Sequence, residues 1–198
     1  MKPRIFLATL VILTLTPLTS RAETWQLPTE LNDSNTSITF EVDSTFHTVH
    51  GSTKNISGSA KLLDKKDPLS IRVDITVPVS PFNTSSESRD ERLREVMAAD
   101  SFPVITFTAT RLSSNCTPDK VTTTQPCKGE MSGLLTIRDV AKPVQLPTEI
   151  SRTEESYTIK GQLPLTWSEY HVEDPSILIA RLDPTVTISY ETHIAVRH

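Results

Sequence analysis

Six stretches of the chain place an apolar residue at every second position, and no other feature limits the fold as sharply. In SITFEVDST, Ile38, Phe40 and Val42 fall on one face. In SIRVDITVPV the set is Ile71, Val73, Ile75 and Val77, and in PVITFTAT it is Ile105, Phe107 and Ala109 against threonines. Val144, Leu146, Thr148 and Ile150 repeat the pattern. So do Tyr157, Ile159, Gly161, Leu163, Leu165 and Trp167, and finally Val186, Ile188 and Tyr190. Side chains of a strand return to the same face every two residues, so each stretch reads as a strand with one dry and one wet side. KNISGSAKLL and GEMSGLLTI are less regular but strand-like, bringing the expected number to about eight. Strands of this kind form an antiparallel sheet with one solvated face. A sheet that long avoids open edges by closing into a barrel or splitting into a sandwich. There are no internal repeats and no linker, so one domain is expected.

One stretch breaks the pattern. Residues 86–103, SESRDERLREVMAADSFP, are crowded with charge and read as a short helix. Thr84 and Ser88 each precede a glutamate by three residues (Glu87, Glu91), the spacing of a capping box. Leu93, Val96 and Met97 form a narrow apolar stripe. Pro103 ends the helix, because the residue before a proline avoids helical angles. Such a helix between two strands would cover one end of a barrel.

The first 22 residues read as a secretory signal rather than part of the domain. Lys2 and Arg4 precede an apolar run from Ile5 to Leu15. Pro17 follows, and Ser20-Arg21-Ala22 offers small residues where a signal peptidase cuts. The run is too short for a spanning helix, which needs about 20 residues. Cleavage after Ala22 would leave a soluble domain of residues 23–198, periplasmic or secreted, with no integral membrane segment. Losing Lys2, Arg4 and Arg21 moves the net charge from −4 to −7, which argues against nucleic acid and against docking on anionic lipid. In an oxidising compartment the only two cysteines, Cys116 and Cys127, are expected to form a disulfide closing a polar loop.

Motifs for chemistry are missing. His47 and His50, three apart on a strand or turn, would face opposite ways, and His171, His193 and His198 are scattered, so no metal site is expected. No nucleophile elbow, phosphate loop or zinc-protease motif occurs. The pairs Asp90–Glu91 and Glu154–Glu155 read as solvated faces. Five sequons, beginning at Asn32, Asn35, Asn55, Asn83 and Asn115, read as chance in a Ser/Thr-rich chain. The expectation is a protein that is not an enzyme and carries no cofactor. Hydrolysis or isomerisation by carboxylates at a barrel mouth is the weaker reading.

The order of short motifs resembles the YceI-like family of secreted bacterial proteins over nearly all of residues 25–192. The resemblance rests on FEV, VHG and NISGSAKL, then Arg89-Asp90 opening the helix, Phe102-Pro103 before Ile105 and Phe107, and Gly133-Leu134-Leu135-Thr136-Ile137 with Lys142-Pro143. The sequence departs from the family pattern at Asp139, where a glycine is common in the turn. The resemblance implies an all-β, eight-stranded antiparallel lipocalin-like barrel with one short helix capping an end. It also implies a ligand: an isoprenoid-like lipid or quinone inside the barrel. The inward apolar faces would then carry binding: Phe40, Val42, Val73, Ile75, Val77, Ile105, Phe107, Leu163, Leu165, Trp167, Ile188 and Tyr190, with Leu93 and Met97 near the mouth. An eight-stranded barrel can instead be filled by its own side chains. The alternative is therefore a solid barrel acting in envelope stress or in binding a partner protein that the sequence does not identify.

Overall fold

In the computed structural model the described residues are 24–115, 117, 120–176 and 180–197. They form one antiparallel sheet of eleven strands and one α-helix, α1 (Glu87–Val96). The strands are β1 (Thr24–Trp25), β2 (Thr29–Asn32), β3 (Thr36–Asp43), β4 (Thr48–Ser52), β5 (Ser57–Asp64), β6 (Asp67–Pro78), β7 (Val104–Ser114), β8 (Cys127–Ile137), β9 (Val140–Arg152), β10 (Ser156–Thr166) and β11 (Thr185–Arg197). Their order in the sheet is β2-β5-β6-β7-β8-β9-β10-β11-β3-β4, with β1 on β11. The sheet curls around a single apolar interior. The expected number of strands, eight, is therefore too low by three. β1, β2 and β4 are the additions, and they are too short for a period to show; β4 reads Thr-Val-His-Gly-Ser, with one large apolar residue.

The ladder does not run unbroken around the curl. β2 and β4 stand at its two ends and are tied by other means. Ser52 and Asn83 exchange backbone hydrogen bonds of 3.0 and 2.9 Å. The Asp33 carboxylate, just past β2, accepts from the N–H groups of Asn55 and Ile56 at 2.8 and 2.9 Å. A second interruption lies between β9 and β10. β8–β9 and β10–β11 each pair over eleven rungs, whereas β9–β10 pairs over four, from Tyr157↔Arg152 to Lys160↔Glu149.

Alternation translates directly into packing. Ile75 on β6 lies opposite Phe107 on β7, which lies opposite Leu135 on β8. Across the barrel, Phe40 on β3, Ile188 on β11 and Leu163 on β10 form a matching row. The end of the interior away from α1 is the more tightly packed, around Tyr157, Ile71, Leu112 and Ile150, none more than 2% exposed. Each such side chain contributes about 1.5–3 kcal/mol relative to exposure.

The other end is covered by the excursion between β6 and β7. Val79 N–H donates to Pro103 O at 2.9 Å, pinning its two ends together. α1 lies within it, and Val96 and Met97 are buried, as the stripe implied. The capping boxes do not form: Ser86 is the N-cap and makes no side-chain capping bond. Thr84 instead donates its N–H (2.8 Å) and hydroxyl (2.6 Å) to Asp90 Oδ1, and Arg89 Nη2 donates to Thr84 O at 2.7 Å. Asp90 is therefore not a freely solvated carboxylate; it holds the entry of the helix. Farther along, the β8–β9 turn places Arg138 at φ 54°. Its guanidinium donates to Val96 O (3.3 Å) and to His171 O, and lies 5.6 Å from the centroid of Phe102. One side chain thus ties the turn to the end of α1 and to the 3₁₀ turn Trp167–Tyr170.

Candidate functional site: an apolar cavity inside the curled sheet

Between the packed end and α1 the interior is hollow. The cavity has a volume of about 710 Å³, within the range of about 300–1,000 Å³ usual for sites that bury a drug-sized ligand. The interior is therefore not filled by its own aromatics. All fourteen residues expected to face inward lie on its wall: Phe40, Val42, Val73, Ile75, Val77, Ile105, Phe107, Leu163, Leu165, Trp167, Ile188 and Tyr190 from the strands and the 3₁₀ turn, Leu93 and Met97 from α1. Phe82, between β6 and α1, joins them, its ring centroid 5.5 Å from that of Phe40. No period in the sequence marked that residue.

Three glycines explain how a barrel with aromatic side chains stays hollow. A Cβ on Gly51 would fall 2.1 Å from Phe40 Cζ, one on Gly133 would fall 2.5 Å from Phe107 Cε2, and one on Gly161 would fall 2.8 Å from the Tyr190 ring. Each ring uses the space over a bare glycine backbone on a neighbouring strand, where a side chain would push it toward the lumen. All five glycines of the chain are in strands and none has a positive φ. Their use here is close approach, which is what glycine inside a strand often marks.

Polar groups sit at three places. Ser44, His47, Ser86, Ser88, Arg89 and Arg92 line the α1 end of the cavity. Both arginines have partners: Arg89 on Thr84, Arg92 on Glu95 at 3.1 Å. Deep in the wall, the hydroxyls of Thr36 and Thr192 meet at 3.2 Å. Midway, the Tyr190 hydroxyl lies 2.8 Å from Thr148 Oγ1 and donates to Pro147 O at 2.9 Å. Burial pushes the Tyr190 phenol up to about 12, against the opposing pull of the Thr148 contact. It is therefore a neutral hydrogen-bonding group at ordinary pH.

Among the described residues no group of three or more His, Cys, Asp or Glu could hold a metal ion, and no helix is long and apolar enough to cross a membrane. His50 points outward, 3.6 Å from Glu41, while His47 faces the cavity rim, the opposition expected of their spacing. Cys127 is buried at the start of β8; the expected bond to Cys116 lies outside the described residues, as does the expected signal segment.

The model of the YceI-like domain matches residues 30–194, nearly the whole described chain. The chain belongs to the YceI-like family. Solved structures agree on the fold of this YceI-like protein. BcnA of Burkholderia cenocepacia is 19% identical with a TM-score of 0.65, covering 82% of this chain and 96% of that one. A polyisoprenoid binding domain from Saccharophagus degradans, implicated in plant cell wall breakdown, is 12% identical with a TM-score of 0.64, covering 89% and 99%. A YCEI protein of Campylobacter jejuni is 21% identical with a TM-score of 0.59, covering 76% and 86%. No curated protein matches the chain.

Proposed function

We propose that this YceI-like protein is a soluble periplasmic or secreted binding protein that holds one isoprenoid-like amphiphile, a prenyl lipid or quinone, in the barrel. The observation that carries the reading is the cavity: about 710 Å³, lined almost wholly by aliphatic and aromatic side chains, and polar only at its α1 end and at a few wall hydroxyls. The polyisoprenoid binding domain from Saccharophagus degradans shares the fold and supports the choice of ligand class. The fourteen wall residues named above would supply contact, with no catalytic role.

Magnitudes limit what the cavity can select. Each buried CH₂ is worth roughly 0.8 kcal/mol against water, so a five-carbon isoprene unit gains up to about 4 kcal/mol. A bilayer offers the same unit about as much. Preference for the barrel over a membrane must come from shape and from the polar end. Mass spectrometry of an organic extract from protein purified out of its native envelope tests the reading directly. A prenyl lipid should be found, and added prenyl quinone should raise the thermal midpoint of stripped protein. An empty extract together with an unmoved midpoint would refute the proposal.

A further inference from the structure

The interruption between β9 and β10 has a cause in the sequence. Extending the register past Lys160↔Glu149 in steps of two gives Gln162 opposite Pro147, Pro164 opposite Gln145, and Thr166 opposite Pro143. The rungs that would carry the next hydrogen bonds each contain a proline. A proline has no N–H to donate and is excluded from the middle of a sheet for that reason. The orientation agrees. Pro147 O points at β10, because a Cβ on Gly161 would lie 1.9 Å from it. Pro143, Gln145, Pro147, Gln162 and Pro164 are all exposed on the outer face, and Leu146, Leu163 and Leu165, between them, line the cavity.

The unpaired stretch has defined limits. At its lower end Tyr190 reaches across Gly161 to Thr148 and Pro147. Thr148 and Tyr190 face the cavity and also a concavity on the outer surface, so the wall there is one side chain thick. At the upper end side chains join the start of β9 and the turn before it to the 3₁₀ turn that follows β10: Lys142 Nζ to Glu169 at 2.8 Å, and His171 Nδ1 to Asp139 at 3.2 Å. From Pro143 to Pro147 the free edge measures about 13 Å at roughly 3.3 Å per residue.

We infer that the β9–β10 seam is a lateral port, through which the chain of an amphiphile passes sideways between solvent or membrane and the cavity. The inference rests on the lipid-binding reading above and says where the ligand crosses the wall. End-on threading would draw the whole chain past the charged and hydroxylated rim at α1. Sideways passage keeps the polar head in water while the hydrocarbon crosses between two edges bordered by leucines and prolines. The seam does not suit an added peptide strand, since prolines on both edges remove donors such a strand would need.

The test bridges the port. Gln145→Cys/Gln162→Cys places two exposed thiols on opposite edges and leaves the prolines intact; a short reducible bis-thiosulfonate linker joins them, with wild-type protein carried through the same treatment. The probe is a geranylgeranyl ester of N-methylanthranilic acid, followed by fluorescence in stopped flow. Bridging should slow both uptake and release at least tenfold, leave Kd within about twofold, and be reversed by reductant. Bridged protein that exchanges the probe at the unbridged rate overturns the port. If unbridged protein takes up no probe, the lipid-binding reading falls and the port with it. A second variant needs no linker. Pro143→Val/Pro147→Val/Pro164→Val restores the missing donors, and amide exchange should report new protection at residues 143–147 and 162–166 together with slower probe exchange. New protection with unchanged exchange would also count against the port.

Discussion

Arg138 occupies backbone angles that cost a non-glycine residue roughly 1–2 kcal/mol, at a turn where glycine would be at ease. What holds it there is its guanidinium, on Val96 O, His171 O and the Phe102 ring. Hydrogen bonds from charged donors contribute about 1.5–3 kcal/mol each, more than the strain removed. Arg138→Gly should therefore destabilise, by about 2 kcal/mol in urea titration, and a variant as stable as wild type would show that the clasp contributes nothing. Tyr190 gives a pH signature. An unfolded phenol ionises near 10 and the folded one near about 12, so between those values the folded state binds more protons. The stabilisation is complete below pH 10 and is lost as pH rises through about 12; at roughly 1.36 kcal/mol per unit it amounts to something on the order of 2–3 kcal/mol. Stability measured from pH 8 to 11.5 should fall more steeply in wild type than in Tyr190→Phe.

At the scale of elements, the inward faces were legible because a half-buried strand writes its orientation into every second residue. Phe40, Ile188 and Leu163 come from three distant segments and still meet in one row. Three things were not legible. The short strands β1, β2 and β4 have too few residues to carry a period. The helix entry offered two capping-box spacings, yet the tertiary contact from Thr84 to Asp90 displaced both. The hollowness of the barrel depends on pairs such as Phe40 with Gly51, which register alone brings together. Gly51→Ala places a methyl 2.1 Å from Phe40 Cζ, so the ring must swing toward the lumen. Overpacking of this kind costs about 1–3 kcal/mol. The informative result is functional: displacement titration should show affinity for a long prenyl chain falling at least tenfold while circular dichroism stays that of a β-protein. On α1, Leu93→Asp should speed loss of bound lipid by spoiling the cover, without unfolding the sheet.

For the whole molecule, the deciding substitution is Val73→Trp, on the strand whose four alternating apolar residues, Ile71 to Val77, most clearly mark an inward face. It should fill the cavity and abolish prenyl binding, while the packed end around Tyr157 and Ile150 keeps the fold. Binding should be indifferent to a roughly tenfold rise in salt, since the chain is acidic and both rim arginines are already engaged. Two expectations concern the chain before and after export: a mature N-terminus at Glu23 by intact mass, and no reactive thiol in unreduced, denatured protein if Cys116 and Cys127 are bonded, a closure worth roughly 3 kcal/mol at most. The proline-bordered seam has one further consequence, for the behaviour of many copies together. A wall that lacks ladder hydrogen bonds leaves two strand edges unpaired, and unpaired edges are where β-proteins stack into fibrils. With Pro143 and Pro147 on one edge and Pro164 on the other, each edge lacks donors that a neighbouring strand would need. The imino acids that keep β9 from β10 therefore also keep one molecule from extending the sheet of the next. Restoring those donors would trade a permeable wall for a sheet more prone to aggregate.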